Sequence, residues 1–528
     1  MRKTLVTLSI VFMLVGCEPL SESERSGDAD SVIAPLDVVS MTLPDVSQQL
    51  AEGTLSSVDL VQVYLDRIAT IDRAGPTLNA VISVNQNALA LAKESDLRRK
   101  DGQPLSPIDG VPLLLKDNIE SKDQLATTAG STALINNITG RDSPLVAALR
   151  ASGAIILGKT NLSQWANFRS SHSVSGWSSV GGLVKNPHVL DRQTCGSSSG
   201  SAAAAAASLA AATVGTETNG SIICPSQVNG VVGLKPTHGL LPTDFIVPIA
   251  ATQDTAGPIT KSVGGAALML DGMTGWTNNY FESLNPSVVQ GMRIGILDFA
   301  RNDSPRLNAQ FDAAVAAMSD AGAEVVRIEQ HETPSAFWGA ARLVLGAEFK
   351  AFLDAYLASS PADIPIRSLA DLVRYNDENT AVEQAIFGQD ILESSLAAPS
   401  LDSEAYLDAL ALIRSATREN GIDALLEKHH VQVLMGPSGP VSPRADVVNG
   451  DVWPAWAGAG SMAAVSGYPN ITVPMGTIAG VPVGASFMTR PGGDALLFSV
   501  ALAYENKRNA LIVPRYKTSV SVEDMQPL

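Results

Sequence analysis

The chain has 528 residues, a formal net charge of −17 and 45 % hydrophobic residues. That is enough apolar material for a large core, and the acidic balance argues against a nucleic-acid partner, which needs a basic surface. The chain's 3 cysteines and 6 histidines are scattered without metal-ligand spacing, so the sequence predicts no metal site and no cofactor. Composition sets no oligomeric state.

The first residues predict export. Arg2 and Lys3 precede a mostly apolar run, Thr4 to Val15, too short to span a bilayer, which takes about 20 residues. Leu14-Val15-Gly16-Cys17 then reads as a lipobox, with cleavage before Cys17 and lipid on its thiol. Residues 1–16 are thus expected to be a signal peptide. Residues 17–42, rich in Ser, Asp, Glu and Pro, are expected to be a flexible tether. A folded domain is expected over 43–514 and a tail over 515–528. The expected location is the periplasm or cell exterior, as a membrane-tethered lipoprotein with no later transmembrane helix.

Pattern reading predicts a helix over Ser56–Thr70, with apolar Val58, Val61, Tyr64, Leu65 and Ile68 at helical spacing behind a capping serine. A strand over Leu78–Val84, a helix over Ala88–Arg99 and a buried strand over Val111–Lys116 follow. Next come a helix over Pro144–Ala151, a strand over Ala154–Leu157 and a small-residue helix over Gly200–Ala212. Arg293–Leu297, a helix over Leu307–Ala321 and Glu324–Ile328 read as a βαβ unit. A mostly helical insert spans about 334–428. Val431–Met435, Asn470–Val473 and Val483–Met488 read as further strands. The alternation predicts an α/β fold: a large twisted, mixed, mostly parallel sheet covered by helices on both faces.

Three segments carry the chemistry. Gly196-Ser197-Ser198-Ser199-Gly200-Ser201 runs into the alanine block Ala202–Ala207, and Gly215-Thr216-Glu217-Thr218-Asn219-Gly220-Ser221-Ile222 follows. Each sets serines beside glycine, where the backbone turns sharply and brings N–H groups to a ligand. Acyl transfer needs that pairing of hydroxyl and oxyanion donors. Upstream, Val111-Pro112-Leu113-Leu114-Leu115-Lys116 ends an apolar run in a lysine, where desolvation favours the neutral amine. Singly, each segment has a plain structural reading: Lys116 reaching for solvent, Ser221 capping a helix, a Gly/Ser linker. Gly196–Gly200 also fits the G-x-S-x-G elbow, but the stretch before it, Asn186–Thr194, is polar and proline-broken, so no core strand feeds the turn. Gly158-Lys159-Thr160 lacks the Ser-x-x-Lys that would make it part of a penicillin-binding site.

In this order the segments resemble the amidase signature family. Further matches are Gly158-Lys159-Thr160-Asn161, Gly233-Leu234-Lys235-Pro236-Thr237, Asp254-Thr255-Ala256-Gly257-Pro258 and Gly467-Tyr468-Pro469-Asn470-Ile471. The resemblance spans nearly the whole mature chain. It implies one large α/β domain and a Ser-Ser-Lys triad: Ser221 as nucleophile, Ser197 as bridge and Lys116 as base. The backbone N–H groups of Thr218, Asn219, Gly220 and Ser221 would form the oxyanion hole. Gly196 and Ser198 would shape the site, with a cis peptide between Ser197 and Ser198. Three departures stand out: Ser199 where Gly is usual, Glu217 where Asp is usual, and Asn219 where Gly is usual. Asn tolerates unusual backbone angles, so the hole is expected to survive.

The run Glu217–Pro225 and the Gly-Tyr-Pro-Asn segment look most like peptide amidases, which implies deamidation of C-terminally amidated peptides. The implied partner is a small-molecule or peptide amide. Alternatives within the family are a general acylamidase of small or fatty amides and the glutaminase subunit of a tRNA-dependent amidotransferase. A third is a non-catalytic binding lipoprotein. Cys195 and Cys224 flank the two serines, and the sequence leaves their pairing open.

Overall fold

A computed structural model describes residues 36–508 and 511–525. The lipobox at Cys17 and the tether as far as residue 35 lie outside the described residues. From Asp37 onward the chain is one unit. Among the described residues no helix is long and apolar enough to cross a membrane.

The strands are β1 Val81–Val84, β2 Pro112–Lys116, β3 Ile155–Thr160, β4 Trp177–Ser178, β5 Gly182–Leu183, β6 Ala212–Glu217, β7 Val232–Lys235 and β8 Thr255–Thr260. They continue as β9 Arg293–Leu297, β10 Glu324–Ile328, β11 Val433–Pro437, β12 Asn470–Ile478 and β13 Val481–Met488. β4 and β5 form a small hairpin, and the other 11 form one sheet in the order β1-β3-β2-β6-β8-β7-β12-β13-β11-β9-β10. The sheet is mixed and carries helices, as the sequence predicts. Its parallel ladders fall in two blocks, β3-β2-β6 and β11-β9-β10. Antiparallel ladders join the blocks through β8, β7, β12 and β13. The expected βαβ unit forms: β9 and β10 pair in parallel around the helix Pro305–Asp320.

Local chemistry explains several boundaries. Ser56 caps the helix Ser57–Arg67 by accepting the Asp59 N–H, and Thr42 with Asp45 closes a capping box on the helix Leu43–Glu52. The alanine helix is shorter than its propensity suggests, and the expectation of Gly200–Ala212 is corrected to Ser199–Ala206. Ser208 turns left-handed at φ 53°, and Ala212 opens β6. That strand pairs with β2 on one side and β8 on the other, so two ladders outweigh alanine's helix preference. All of the helix's residues are buried. Gly200 lets it approach its neighbours: a Cβ there would lie 2.4 Å from the carbonyl oxygens of Ala80 and Asn161.

Residues 337–428 are mostly helical, from Phe337–Ser359 to Asp423–Lys428. Phe349, Leu353, Leu357, Leu369 and Leu392 pack with Leu134, Trp165 and Val247 from the site side of the molecule. Glu383 joins the two regions by hydrogen bonds. Its carboxylate accepts from the Thr132 N–H (2.8 Å), the Ser179 hydroxyl (2.9 Å), the Ser131 hydroxyl (3.3 Å), Gln164 Nε2 and the Thr132 hydroxyl.

Candidate active site

β2 and β6 run parallel with Leu113 opposite Ala212 and Leu115 opposite Val214, so Lys116 ends its strand beside the end of β6. Its side chain is fully buried, which rules out a solvent-seeking lysine. Nζ lies 2.7 Å from Ser197 Oγ, 2.8 Å from Thr216 Oγ1 and 3.2 Å from the Thr216 carbonyl oxygen. Burial draws its pKa down to about 7, against the opposing pull of the Asp254 and Glu217 charges. Asn118 Nδ2 donates to the same Thr216 hydroxyl at 3.0 Å.

The serine turn is held from several sides. The Ser197 carbonyl accepts the Ser163 N–H at 3.0 Å, and Ser198 Oγ donates to the Thr216 carbonyl while accepting the Thr216 N–H. A Cβ at Gly196 would lie 2.1 Å from Ser163 Oγ, which accepts the Gly176 N–H at 2.8 Å, so a larger residue would displace that bond. The cis peptide is Gly196–Ser197, one bond earlier than the resemblance implies. Among the described residues no strand leads directly into the turn, so the elbow reading has no structural basis.

The Ser198 N–H donates to the Ser221 carbonyl at 3.2 Å and ties the two serine segments together. Ser221 is 8 % exposed, whereas Lys116 and Ser197 are sealed. The helix that follows, Ile223–Val228, has Ile222 at its N-cap and no side-chain cap, so Ser221 is not a capping residue. Glu217 fixes the turn from behind by accepting the N–H groups of Ile222 (2.8 Å) and Ile223 (3.0 Å). Gly220 takes φ 83°, in the left-handed region. Among the described residues, the N–H groups of Thr218, Asn219, Gly220 and Ser221 donate to no protein acceptor. Cys195 and Cys224 form a disulfide, which resolves the pairing the sequence left open.

Three cavities meet the Thr216–Gly220 loop. One of about 360 Å³ touches Asn118, Thr216, Thr218 and Asp254. A second, about 200 Å³, is walled by the disulfide, Gly196, Asn219, Gly220, Trp453 and Trp456. The third, about 610 Å³, touches Asn219 and runs along the helix Phe337–Ser359.

The structure therefore brings Lys116, Ser197, Ser198, Gly196 and the Thr218–Ser221 turn into one place. Nothing in the local sequence gives a part in the site to Thr216, Asn118, Ser163 or Asp254. Thr216 and Asn118 stand beside the motif residues, but their contact with Lys116 depends on a parallel register that spacing does not reveal. Asp254 accepts from the Thr218 hydroxyl and from the Ile249 and Ala250 N–H groups. Burial raises its pKa to about 6.

A buried lysine on a serine pair, beside a turn whose N–H groups find no acceptor among the described residues, has the groups that acyl transfer from an amide needs. The amidase family model matches residues 59–498, and the chain belongs to the amidase family; it is an amide-hydrolysing enzyme. A probable amidase of Arabidopsis thaliana is 34 % identical, over 93 % of this chain and 95 % of its own. The structure of native peptide amidase from Stenotrophomonas maltophilia is 41 % identical, with a TM-score of 0.85 over 91 % of this chain and 99 % of that one. A glutamyl-tRNA(Gln) amidotransferase subunit from Thermoanaerobacter pseudethanolicus is 29 % identical, over 90 % of this chain and 98 % of its own.

Proposed function

We propose that this enzyme deamidates C-terminally amidated peptides through a Lys116–Ser197–Ser221 relay. The observation that carries the relay is the sealed Lys116 amine, 2.7 Å from Ser197 Oγ, with a pKa near 7. A neutral amine has two N–H donors and one lone pair. The two donors match the carbonyl and hydroxyl oxygens of Thr216, which leaves the lone pair for the Ser197 hydroxyl. Ser197 passes its proton to Lys116 and takes one from Ser221 as Ser221 Oγ attacks the amide carbon. The oxyanion is met by the free N–H groups of Thr218 to Ser221. The proton returns through Ser197 to the leaving nitrogen, ammonia departs, and water repeats the sequence on the acyl-enzyme.

The peptide reading rests on the similarity to peptide amidase and on a small cavity lined by Gly196 and Gly220, the residues that precede the two serines. The test compares kcat/KM for an amidated dipeptide, a fatty amide and an acylanilide. The dipeptide amide is expected to win. A lead of more than about tenfold for either rival, roughly 1.4 kcal/mol at the transition state, replaces the peptide reading with a general acylamidase.

We also infer from the sequence that Cys17 carries a lipid anchor and holds the enzyme outside the cytoplasm. Two or more acyl chains give stable anchoring. Cys17→Ser is expected to move the protein from the membrane fraction to the soluble fraction. Unchanged retention overturns the lipobox.

A further inference from the structure

The cavity of about 610 Å³ between the helices Phe337–Ser359 and Asp390–Leu396 has no part in the relay. It meets the site at one residue, Asn219, whose N–H donates to no acceptor among the described residues. Its walls are mostly apolar: Phe168, Leu345, Ile391 and Pro399 line it, and Trp338 stands 61 % exposed on its edge. Arg342 also lines it and makes no hydrogen bond or ion pair among the described residues. Gly339 lies on the same wall with nothing within 4 Å of where its Cβ would be.

We propose that this groove is the subsite for the residues upstream of the amidated one, and that it prefers apolar peptides carrying an acidic side chain at the Arg342 rim. The inference rests on the peptide-amide reading above. An amide bound at the Thr218–Ser221 turn has two sides. The leaving side holds only NH₂, and a space in the range of whole ligand pockets is far too large for it. The groove therefore belongs to the acyl side. The smaller cavity of about 200 Å³, beside Gly196, Gly220 and the disulfide, takes the amidated residue itself against the packed pair Trp453 and Trp456. The upstream residues then cross Asn219 into the larger groove. Apolar walls favour Leu- or Phe-like side chains. Arg342 supplies a cation on a protein whose net charge is −17, so a carboxylate finds its partner there and a lysine does not.

The experiment measures kcat/KM with N-acetyl-Phe-amide, N-acetyl-Leu-Leu-Phe-amide, N-acetyl-Glu-Leu-Phe-amide and decanamide. The tripeptide amides are expected to exceed N-acetyl-Phe-amide by at least about tenfold, from the apolar area they bury. Gly339→Phe fills the groove from an exposed helix position. It is expected to remove that advantage and to leave N-acetyl-Phe-amide turnover unchanged, which also reports correct folding. Arg342→Ala is expected to cost the Glu-bearing amide about threefold and the Leu-bearing one nothing, as for an exposed ion pair. Equal rates for long and short peptide amides, unaffected by Gly339→Phe, overturn the subsite. A Gly339→Phe loss confined to decanamide gives the groove to an alkyl chain and overturns the peptide occupant. If the wild type turns over decanamide but no peptide amide, the deamidation reading falls first and this subsite falls with it.

Discussion

Two regions meet at Asn219 and are built on opposite principles. On one side, β2, β6 and the helix Ser199–Ala206 enclose a set of polar groups with almost no solvent: Lys116, Ser197, Ser198 and Ser201 are sealed. Small residues let the backbones approach, and each of those side chains has a hydrogen-bond partner. On the other side, the helices of 337–428 pack by leucine and aromatic contacts and leave an open groove with an exposed tryptophan and an arginine that has no partner among the described residues. The first region fixes atoms within a hydrogen bond's tolerance, which proton transfer requires. The second offers surface, which selects a substrate without touching the reacting atoms. The comparison predicts that damage to the first region alters chemistry, and damage to the second alters stability or choice of substrate.

The largest effect expected is for Ser221→Ala, which removes the proposed nucleophile at the open end of the proposed relay. Ammonia release should fall by at least about 10⁴-fold, in the range seen when a nucleophile acting within a unit is deleted. The melting temperature should stay close to wild type, because Ser221 Oγ caps no helix. A variant that keeps a tenth of wild-type activity would move the nucleophile elsewhere.

Lys116→Met should lower kcat/KM by at least about 10²-fold. The pH profile sharpens the assignment. In the proposed relay the working form is the neutral amine, and burial draws the Lys116 pKa down to about 7. Wild-type kcat/KM should therefore climb as pH rises through about 7 and level off above it. The acid side loses activity because Lys116 is protonated there. In the Met variant that limb should vanish from the residual activity. A limb that persists unchanged belongs to another group, and Lys116 then leaves the mechanism.

Much of the first region was legible and little of the second. Lys116, Ser197 and Ser221 stand in local motifs, and the structure brings those motifs together. The strand Pro112–Lys116 is an apolar run, and the helix Pro144–Ala151 starts on its proline. β6 was hidden because Ala212–Glu217 is buried on both faces and follows an alanine run, so it shows no two-residue alternation. β8 contains Gly257 and Pro258 inside the antiparallel centre, where composition argues against a strand. Thr216 escaped notice because its contact with Lys116 crosses a ladder between residues 100 apart. Glu383 lies 251 residues from Thr132, and nothing local marks it as a joint.

Glu383 tests that joint. Both carboxylate oxygens accept, and none of the five partners needs a donor in return. Glu383→Gln keeps the volume but turns an NH₂ toward other donors. The loss of charge-assisted bonds in a buried site should lower stability by about 2–3 kcal/mol, read as a drop in denaturant midpoint at unchanged slope. The wild-type pH limb should persist, since Glu383 makes no contact with Lys116. A shift of that limb would show the helical region tuning Lys116 and would join the two regions into one.

Trp338→Ala should have the smallest effect on the folded protein and tests the division most closely. Truncating a buried tryptophan costs about 3–5 kcal/mol. Trp338 is 61 % exposed, and its ring contact is an edge-on approach to Phe337 at 5.0 Å between centroids. Most of its area is already in water, so its removal should change unfolding free energy by no more than about 0.5 kcal/mol, as at other surface positions. Turnover of a short amide should also hold, because the residue lies on the groove and not at the relay. A variant that folds normally yet loses short-amide turnover would show that the groove's wall helps to set the oxyanion turn. The two regions would then be one device, coupled through Asn219.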